Sequence, residues 1–223
     1  MKKTALVFGS SGLVGSHLIN LLINDNNYEK IKIFVRSEIN FNNPKIQIIK
    51  TDFQNLSNHS SEIKGDDCFF CIGTTRKNSP NKLEYQRVEL DIPKQIAKIA
   101  KTNSVNNFSF VSSGMANPKH SGEYLRYKGL VEEALKDFRF INLSIIRPSF
   151  LVGNRKEKRF SEKIGIFIFK ILSPLFLGPL KQMRPIRADL VARAMIYLSN
   201  NKIEQNTFES DELVRLGKIY HHY

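Results

Sequence analysis

The sequence has 223 residues, enough for one large α/β domain, and its composition excludes a collagen, a disordered chain and a disulfide scaffold. The formal net charge of +13 raises the question of nucleic acid, but the lysines and arginines are scattered and no DNA- or RNA-binding motif accompanies them. We therefore expect no nucleic-acid partner, and we expect anionic small ligands or an anionic membrane surface instead.

The N-terminal run MKKTALVFGSSGLVG combines two lysines with apolar residues, as a short signal peptide does. Because glycines and serines break the run and no small-residue cleavage site follows, we interpret it as a buried first strand and expect neither a signal peptide nor a transmembrane segment. The two cysteines, Cys68 and Cys71, have C-x-x-C spacing on a predicted strand, which directs them to opposite faces. We therefore expect buried structural cysteines, no metal site and a reducing compartment, the cytoplasm.

Short β-branched or apolar runs alternate with helical patterns along the chain. The predicted strands are 4–9, 30–35, 46–50, 67–73, 108–113 and 142–148, and the predicted helical stretches are 13–25, 90–102, 124–138 and 186–199. This alternation indicates βαβ units and hence an α/β fold with a doubly wound parallel sheet, which binds ligands at the carboxyl ends of its strands. No repeat or linker divides the chain, so we predict a single domain over residues 1–223.

A glycine-rich loop, GSSGLVG, follows the first predicted strand with the spacing G-x-x-G-x-x-G. The first glycine permits a tight turn, the second lets the backbone approach a pyrophosphate, and the third lets helix and strand pack closely. The phosphate would lie on the free N–H groups of the helix N-terminus. The pattern predicts a dinucleotide-binding Rossmann fold whose phosphate loop consists of Gly9, Ser10, Ser11, Gly12, Leu13, Val14 and Gly15.

The residue after the second strand indicates which dinucleotide binds. NAD-dependent dehydrogenases usually have an acid there for the ribose 2′-hydroxyl, whereas this chain has Arg36, whose guanidinium suits a 2′-phosphate. We therefore predict that NADP(H) is preferred over NAD(H), with Glu38 as the acid that a small register shift would bring closer. Asp52, after the third strand, either accepts from the adenine amino group or is an exposed turn residue. The loop after the fourth strand is predicted to line the ribose with Gly73, Thr74 and Thr75.

A tyrosine and a lysine, Tyr124 and Lys128, stand four residues apart on a predicted helix. The spacing alone is weak evidence, because Tyr28 and Lys32 repeat it at the start of the second strand. Tyr124, in contrast, follows the carboxyl end of the fifth strand. Residues four apart share one face of a helix, so the lysine can reach the cofactor's ribose while its charge favours the phenolate.

The serine pair at the end of the fifth strand supplies a hydroxyl that can orient a substrate carbonyl. We favour Ser113, with Ser112 as the alternative. Tyr127, directly before Lys128, is interpreted as a packing residue because it points elsewhere on the helix.

The three residues Ser113, Tyr124 and Lys128 resemble the Ser-Tyr-Lys triad of short-chain dehydrogenases. The motifs GSSGLVGSHL, CIGTTRKNS, FVSSGMANPKHSGEYLRYKGLVEEAL, IIRPSFLVGNRKE and RPIRADLVARAM resemble, more closely, the atypical short-chain dehydrogenases of the Tat-interacting-protein type. The resemblance spans nearly the whole chain. It implies an NADP-binding Rossmann fold with this catalytic triad, and it places the backbone around Pro148 beside the nicotinamide, although Pro148 also serves as an ordinary strand terminator.

Two functions follow from these observations as hypotheses. The first is an NADPH-dependent oxidoreductase that reduces a small, partly apolar carbonyl compound. The alternative is an NADPH-binding regulatory or scaffold protein that has a protein partner and little turnover. Residues 154–185 combine a basic stretch with an apolar segment too short for the roughly 20 residues of a membrane span, so we interpret them as a substrate-covering lid or as an interfacial segment peripheral to a membrane.

Overall fold

The computed structural model describes residues 2–153 and 184–220. The lid or interfacial segment predicted over 154–185 therefore lies outside the described residues except for its last two. Within the described ranges, no helix is both long and apolar enough to cross a membrane.

Strands and helices alternate along the described chain. The strands are β1 Lys3–Phe8, β2 Tyr28–Val35, β3 Ile46–Lys50, β4 Asp67–Phe70, β5 Asn107–Val111, β6 Asn142–Arg147, β7 Leu151–Val152, β8 Ile186–Arg187 and β9 Thr207–Glu209. The α-helices are α1 Leu13–Asn24, α2 Lys82–Gln86, α3 Ile92–Thr102, α4 Glu123–Asp137, α5 Ala188–Asn200 and α6 Ser210–Ile219. Short 3₁₀ turns occupy Leu56–His59 and Arg76–Asn78, and a π-helical turn, Arg87–Asp91, joins α2 to α3.

Seven of the strands form one parallel sheet in the order β3-β2-β1-β4-β5-β6-β9, while β7 and β8 pair separately. The predicted α/β class with a doubly wound parallel sheet is confirmed. Because β2 and β4 flank β1 on opposite sides, the strand order reverses there, which is the point where such sheets bind ligands. All seven carboxyl ends lie at the same edge, referred to below as the carboxyl edge.

The central strands are apolar on both sides because helices cover both faces of the sheet. Ala5 and Val7 of β1 belong to one apolar cluster, which includes α1, α5 and α6. Leu6 and Phe8 point the other way, into a second cluster that includes α3 and α4. Alternate residues of β1 therefore pack against different helices.

The two cysteines lie on opposite sides of the sheet, as their spacing predicted. Cys68 belongs to the cluster of α3 and α4, whereas Cys71 packs against the cluster of α1. Both are free thiols. Burial raises the pKa of Cys71 to about 12, an effect that the charge of Lys128 opposes, so this thiol is neutral at physiological pH.

The six predicted strands all form, and none of their ends differs from the prediction by more than three residues. The fourth ends at Phe70 and not at residue 73, because the chain turns there into a loop that packs on Gly9. The prediction missed β9, Thr207–Glu209, which is only three residues long and pairs with the distant β6.

Tyr28, the tyrosine that repeats the Tyr124 spacing, is a core residue at the opposite edge of the sheet. It is fully buried, donates to Asp67 Oδ2 at 2.5 Å and lies 3.0 Å from Ser199 Oγ. Lys3 Nζ lies 3.2 Å from the same carboxylate oxygen. Burial raises the pKa of Asp67, although Lys3 and the hydrogen bonds oppose that rise. The charged form of the buried Asp67 carboxylate is therefore stabilised by Tyr28 and Lys3.

Removing the Tyr28 hydroxyl is expected to destabilise the fold. Tyr28→Phe should lower the free energy of unfolding by about 1–3 kcal/mol, because a buried carboxylate loses a donor. Urea denaturation measures this loss. Tyr197→Phe is the matched control, since the Tyr197 hydroxyl makes no hydrogen bond within the described part of the chain. Equal losses in the two variants would contradict the role of the Tyr28–Asp67 bond.

Candidate active site

The glycine loop between β1 and α1 is shaped by two close backbone approaches. Gly9 has φ 89°, and a Cβ there would lie 2.7 Å from the carbonyl carbon of Cys71. A Cβ on Gly15 would lie 2.1 Å from Gly9 O, so this glycine lets α1 pack on the strand end. At Gly12 the nearest atom, again Gly9 O, would be 3.2 Å away. The protein itself thus requires Gly9 and Gly15 more strictly than Gly12.

The same loop has the features of a phosphate site. Ser10 is buried, and its Oγ has no hydrogen-bond partner among the residues described. Gly12 is the N-cap of α1 and provides no side-chain cap, so the first N–H groups of the helix remain available. Leu13 and Val14 bury their side chains in the core and present only backbone toward a phosphate, while Ser11 is exposed. The loop therefore fits a dinucleotide.

The predicted adenosine side of the site lies after β2 and β3. Arg36 directly follows β2 and is exposed. Glu38, the acid considered as an alternative, is exposed and lies 3.4 Å from Lys50 of β3. Asp52 accepts from Gln54 N at 2.8 Å and so stabilises its own exposed turn. Arg36 is thus the charged side chain nearest in sequence to the end of β2.

The loop after β4 contains the predicted ribose contacts. Thr74 N donates to Glu89 Oε1 at 2.5 Å, and Thr75 Oγ1 accepts from Asn78 N at 3.3 Å. Gly73 is exposed, and a Cβ there would meet only Glu89 Oε1, at 3.6 Å. The loop is therefore held in place by Glu89, a residue that the sequence did not single out.

Tyr124 and Lys128 lie on α4 close to this loop. Tyr124 is in the first helical turn and is 39% exposed, whereas Lys128 is only 2% exposed. The lysine Nζ lies 5.8 Å from the Tyr124 ring centroid, donates to Val111 O at 3.2 Å and is 3.1 Å from Glu89 Oε2. Burial alone would lower the pKa of Lys128, but Glu89 and Tyr124 outweigh it and the pKa is raised. The phenol therefore lies beside a charged ammonium.

The two serines after β5 have different surroundings. Ser112 is buried and donates to Glu132 Oε1 at 2.5 Å. Arg147 binds the same carboxylate, with its Nη2 2.5 Å from Oε2. Ser113 is half-buried, and its hydroxyl makes no hydrogen bond to any other described residue. The Ser112 hydroxyl thus stabilises the loop, whereas the Ser113 hydroxyl is available to bind a ligand.

Pro148 lies beyond the end of β6 and is buried. Its carbonyl oxygen accepts from Gly114 N at 2.9 Å, and Ser112 N donates to Ile146 O at 2.7 Å. The loops that follow β5 and β6 are therefore joined beyond the strands, which places Pro148 beside the serine pair.

Glu89 could have been noticed in the sequence from its position on a helical stripe. It precedes Ile92, Ile96 and Ala100 by three, seven and eleven residues, and all three are buried. An acid on an apolar stripe requires a buried partner. The sequence therefore indicates that Glu89 has a buried partner, and the fold identifies that partner as Lys128.

Several known proteins are similar to this chain. A family model described as NAD(P)H-binding matches residues 9–164. Protein HTATIP2 of Rattus norvegicus is 27% identical, over 97% of this chain and 90% of its own. Protein FMP52-1, mitochondrial, of Scheffersomyces stipitis is 29% identical, over 96% of this chain and 99% of its own.

Solved structures show the same fold. The Bordetella bronchiseptica enzyme WbmH in complex with NAD+ has a TM-score of 0.70 at 14% identity, covering 98% of this chain and 80% of that one. Vestitone reductase from alfalfa has a TM-score of 0.64 at 21% identity, covering 93% of this chain and 76% of that one. At these identities, the likeness concerns the fold.

Proposed function

Because the chain belongs to the NAD(P)H-binding family, as its resemblance to atypical short-chain dehydrogenases led us to expect, we propose that it is an NADPH-dependent oxidoreductase that reduces a small, partly apolar carbonyl compound. The observation that carries this proposal is the position of Tyr124 and Lys128, which share one face of α4 at the carboxyl edge. The Ser10 hydroxyl, which has no partner in the described part of the chain, and the glycine loop support a dinucleotide at the same edge.

The proposed reaction assigns one task to each side chain of the triad. When bound, NADPH supplies the hydride that the carbonyl carbon accepts. Ser113 donates a hydrogen bond that orients the carbonyl oxygen, and Tyr124 donates its phenolic proton to that oxygen. Lys128 holds the ribose and stabilises the phenolate that remains. Since Tyr124 is partly exposed, solvent can return the proton and complete the cycle.

The proposed NADPH preference depends on Arg36. Arg36→Ala should weaken NADPH binding by about 10–100-fold and NADH binding by less than about threefold, because only the 2′-phosphate loses a charged hydrogen bond. Calorimetric titration of both cofactors measures the two losses. Arg215→Ala, which removes an exposed arginine from α6, controls for net charge. An equal loss of both cofactors in Arg36→Ala would rule out the assignment.

A second candidate function is favoured by the buried ion pair of Lys128. Glu89 neutralises part of the charge that would otherwise act on Tyr124, so the chain would suit a regulatory or scaffold protein that binds NADPH with little turnover. Such a protein should bind NADPH tightly, reduce nothing in a broad carbonyl panel and bind a protein partner more strongly with NADPH. Partner binding that is indifferent to NADPH would count against it.

The place of action is a separate part of the proposal. We propose that residues 154–185 cover the substrate pocket or contact a membrane surface, and flotation with anionic vesicles at low salt distinguishes the two roles.

For the compartment, we propose the cytoplasm, with the mitochondrion as the alternative because relatives such as FMP52-1 are named mitochondrial. Cell fractionation distinguishes these compartments.

A further inference from the structure

The π-helical turn between α2 and α3 contacts both loops that border the predicted cofactor site. Arg87 Nη1 donates to Phe53 O at 3.0 Å in the loop after β3, and Glu89 Oε1 accepts from Thr74 N at 2.5 Å in the loop after β4. A π turn inserts a residue into a helix and often marks a functional site. Here it directs Glu89 under the second loop.

The ion pair between Glu89 and Lys128 is buried on both sides. Glu89 is 0% exposed, and its Oε2 lies 3.1 Å from the lysine Nζ. Two charges removed from water cost about as much as their attraction returns, so such a pair is weak evidence for a purely stabilising role. Its position next to Tyr124 and Thr74 indicates a role in the site.

The titratable groups around the ion pair of Lys128 and Glu89 come from three further elements. They are Cys71 after β4, Tyr124 and Glu132 on α4, and Tyr85 on α2. Burial raises the pKa of both Cys71 and Tyr85, so these groups are neutral at physiological pH. Glu132 has its own cation, Arg147, at 2.5 Å. Glu89 is therefore the main counter-charge of Lys128.

From this geometry we propose that Glu89 is a positioning residue of the site: its carboxylate ties Lys128 to the cofactor loop at Thr74 and supplies the counter-charge of the lysine. The inference rests on the proposed oxidoreductase function. Without the carboxylate, a buried ammonium would lose its proton at lower pH, because burial disfavours the charged form. A neutral lysine neither holds the ribose by charge nor stabilises the phenolate.

The first test is the pH dependence of kcat/KM for carbonyl reduction in Glu89→Gln. The alkaline limb of the profile should move to lower pH by about one unit or more, because the pKa of Lys128 falls when its counter-charge is removed. Asp91→Asn is the matched control, since it removes one negative charge from the same turn, and its profile should overlay that of the wild type. A lower rate at every pH with an unchanged profile would show a merely structural role and overturn the inference.

The second test does not depend on turnover. Nuclear magnetic resonance of isotope-labelled lysine follows the protonation of Lys128, with its signal assigned from Lys128→Arg. In the wild type, Lys128 should keep its proton beyond the pH at which exposed lysines titrate, and in Glu89→Gln it should lose the proton at least about one pH unit earlier. Identical titrations would overturn the inference even in an active enzyme.

The two tests together separate the inference from the proposed function. A shifted Lys128 titration in a protein that reduces no carbonyl compound supports the role of Glu89 and counts against the oxidoreductase. If Glu89→Gln does not fold, the wild-type titration decides, because a Lys128 that titrates with or before the exposed lysines contradicts the proposal.

Discussion

Tyr124→Phe is expected to lower kcat for carbonyl reduction by about 10²–10⁴-fold, the usual contribution of a general acid. Phenylalanine keeps the ring that lies 5.8 Å from the Lys128 ammonium but has no proton to donate. NADPH affinity should change by less than about threefold, since the glycine loop and Lys128 are unaltered. Steady-state NADPH oxidation measures the first effect, and calorimetry measures the second.

Tyr127→Phe is the control for this substitution, because it removes a phenolic hydroxyl three residues further along the same helix. Tyr127 is buried, packs on Tyr85 with ring centroids 6.0 Å apart and makes a long hydrogen bond of 3.4 Å to Gln86. The activity of the Tyr127→Phe variant should stay within about twofold of the wild type. Full turnover in Tyr124→Phe would place the proton donor elsewhere, and equal losses in both variants would indicate a packing effect.

The sheet could be predicted because its signal is local. Short β-branched or apolar runs mark the first six strands of the large sheet, and central strands such as β4 are buried on both faces. The glycine loop is equally local, since the spacing of Gly9, Gly12 and Gly15 is set by one turn and one helix end. The strand β9 lacks this signal, because three residues are too few to show a pattern.

The site was less predictable, because its key contacts join distant segments. Glu89 and Lys128 lie 39 positions apart, and only the packing of the π turn on α4 brings them together. The choice between Ser112 and Ser113 likewise depends on Glu132, twenty residues away, which binds Ser112. Sequence could name the candidates, but the partner that occupies each side chain follows from the fold.

The contrast between Tyr28 and Tyr124 shows what strand direction adds to spacing. Both tyrosines precede a lysine by four residues. Tyr28 begins β2 and is buried against Asp67 at the amino edge, whereas Tyr124 follows β5 and is partly exposed at the carboxyl edge. Parallel sheets bind ligands at the carboxyl edge, so position in the βαβ unit distinguishes the two pairs.

In the glycine loop, we expect stability and cofactor binding to depend on different glycines. Gly15→Ala should lower the free energy of unfolding by about 1–3 kcal/mol, because its methyl group would lie 2.1 Å from Gly9 O and α1 must shift. Gly12→Ala meets the same oxygen at 3.2 Å, so its stability should stay within about 1 kcal/mol of the wild type. Urea denaturation compares the two variants.

NADPH binding should show the opposite order of effects. The Gly12→Ala methyl group would occupy space that a pyrophosphate needs, so affinity should fall by at least about tenfold although the protein remains folded. Calorimetry on both variants tests this. Wild-type affinity in Gly12→Ala would mean that the phosphates approach elsewhere, and wild-type stability in Gly15→Ala would mean that α1 does not pack on Gly9. If both expectations hold, Gly15 serves the fold and Gly12 serves the ligand, because a Cβ on Gly15 would collide with Gly9 O whereas one on Gly12 would be in tight contact with it.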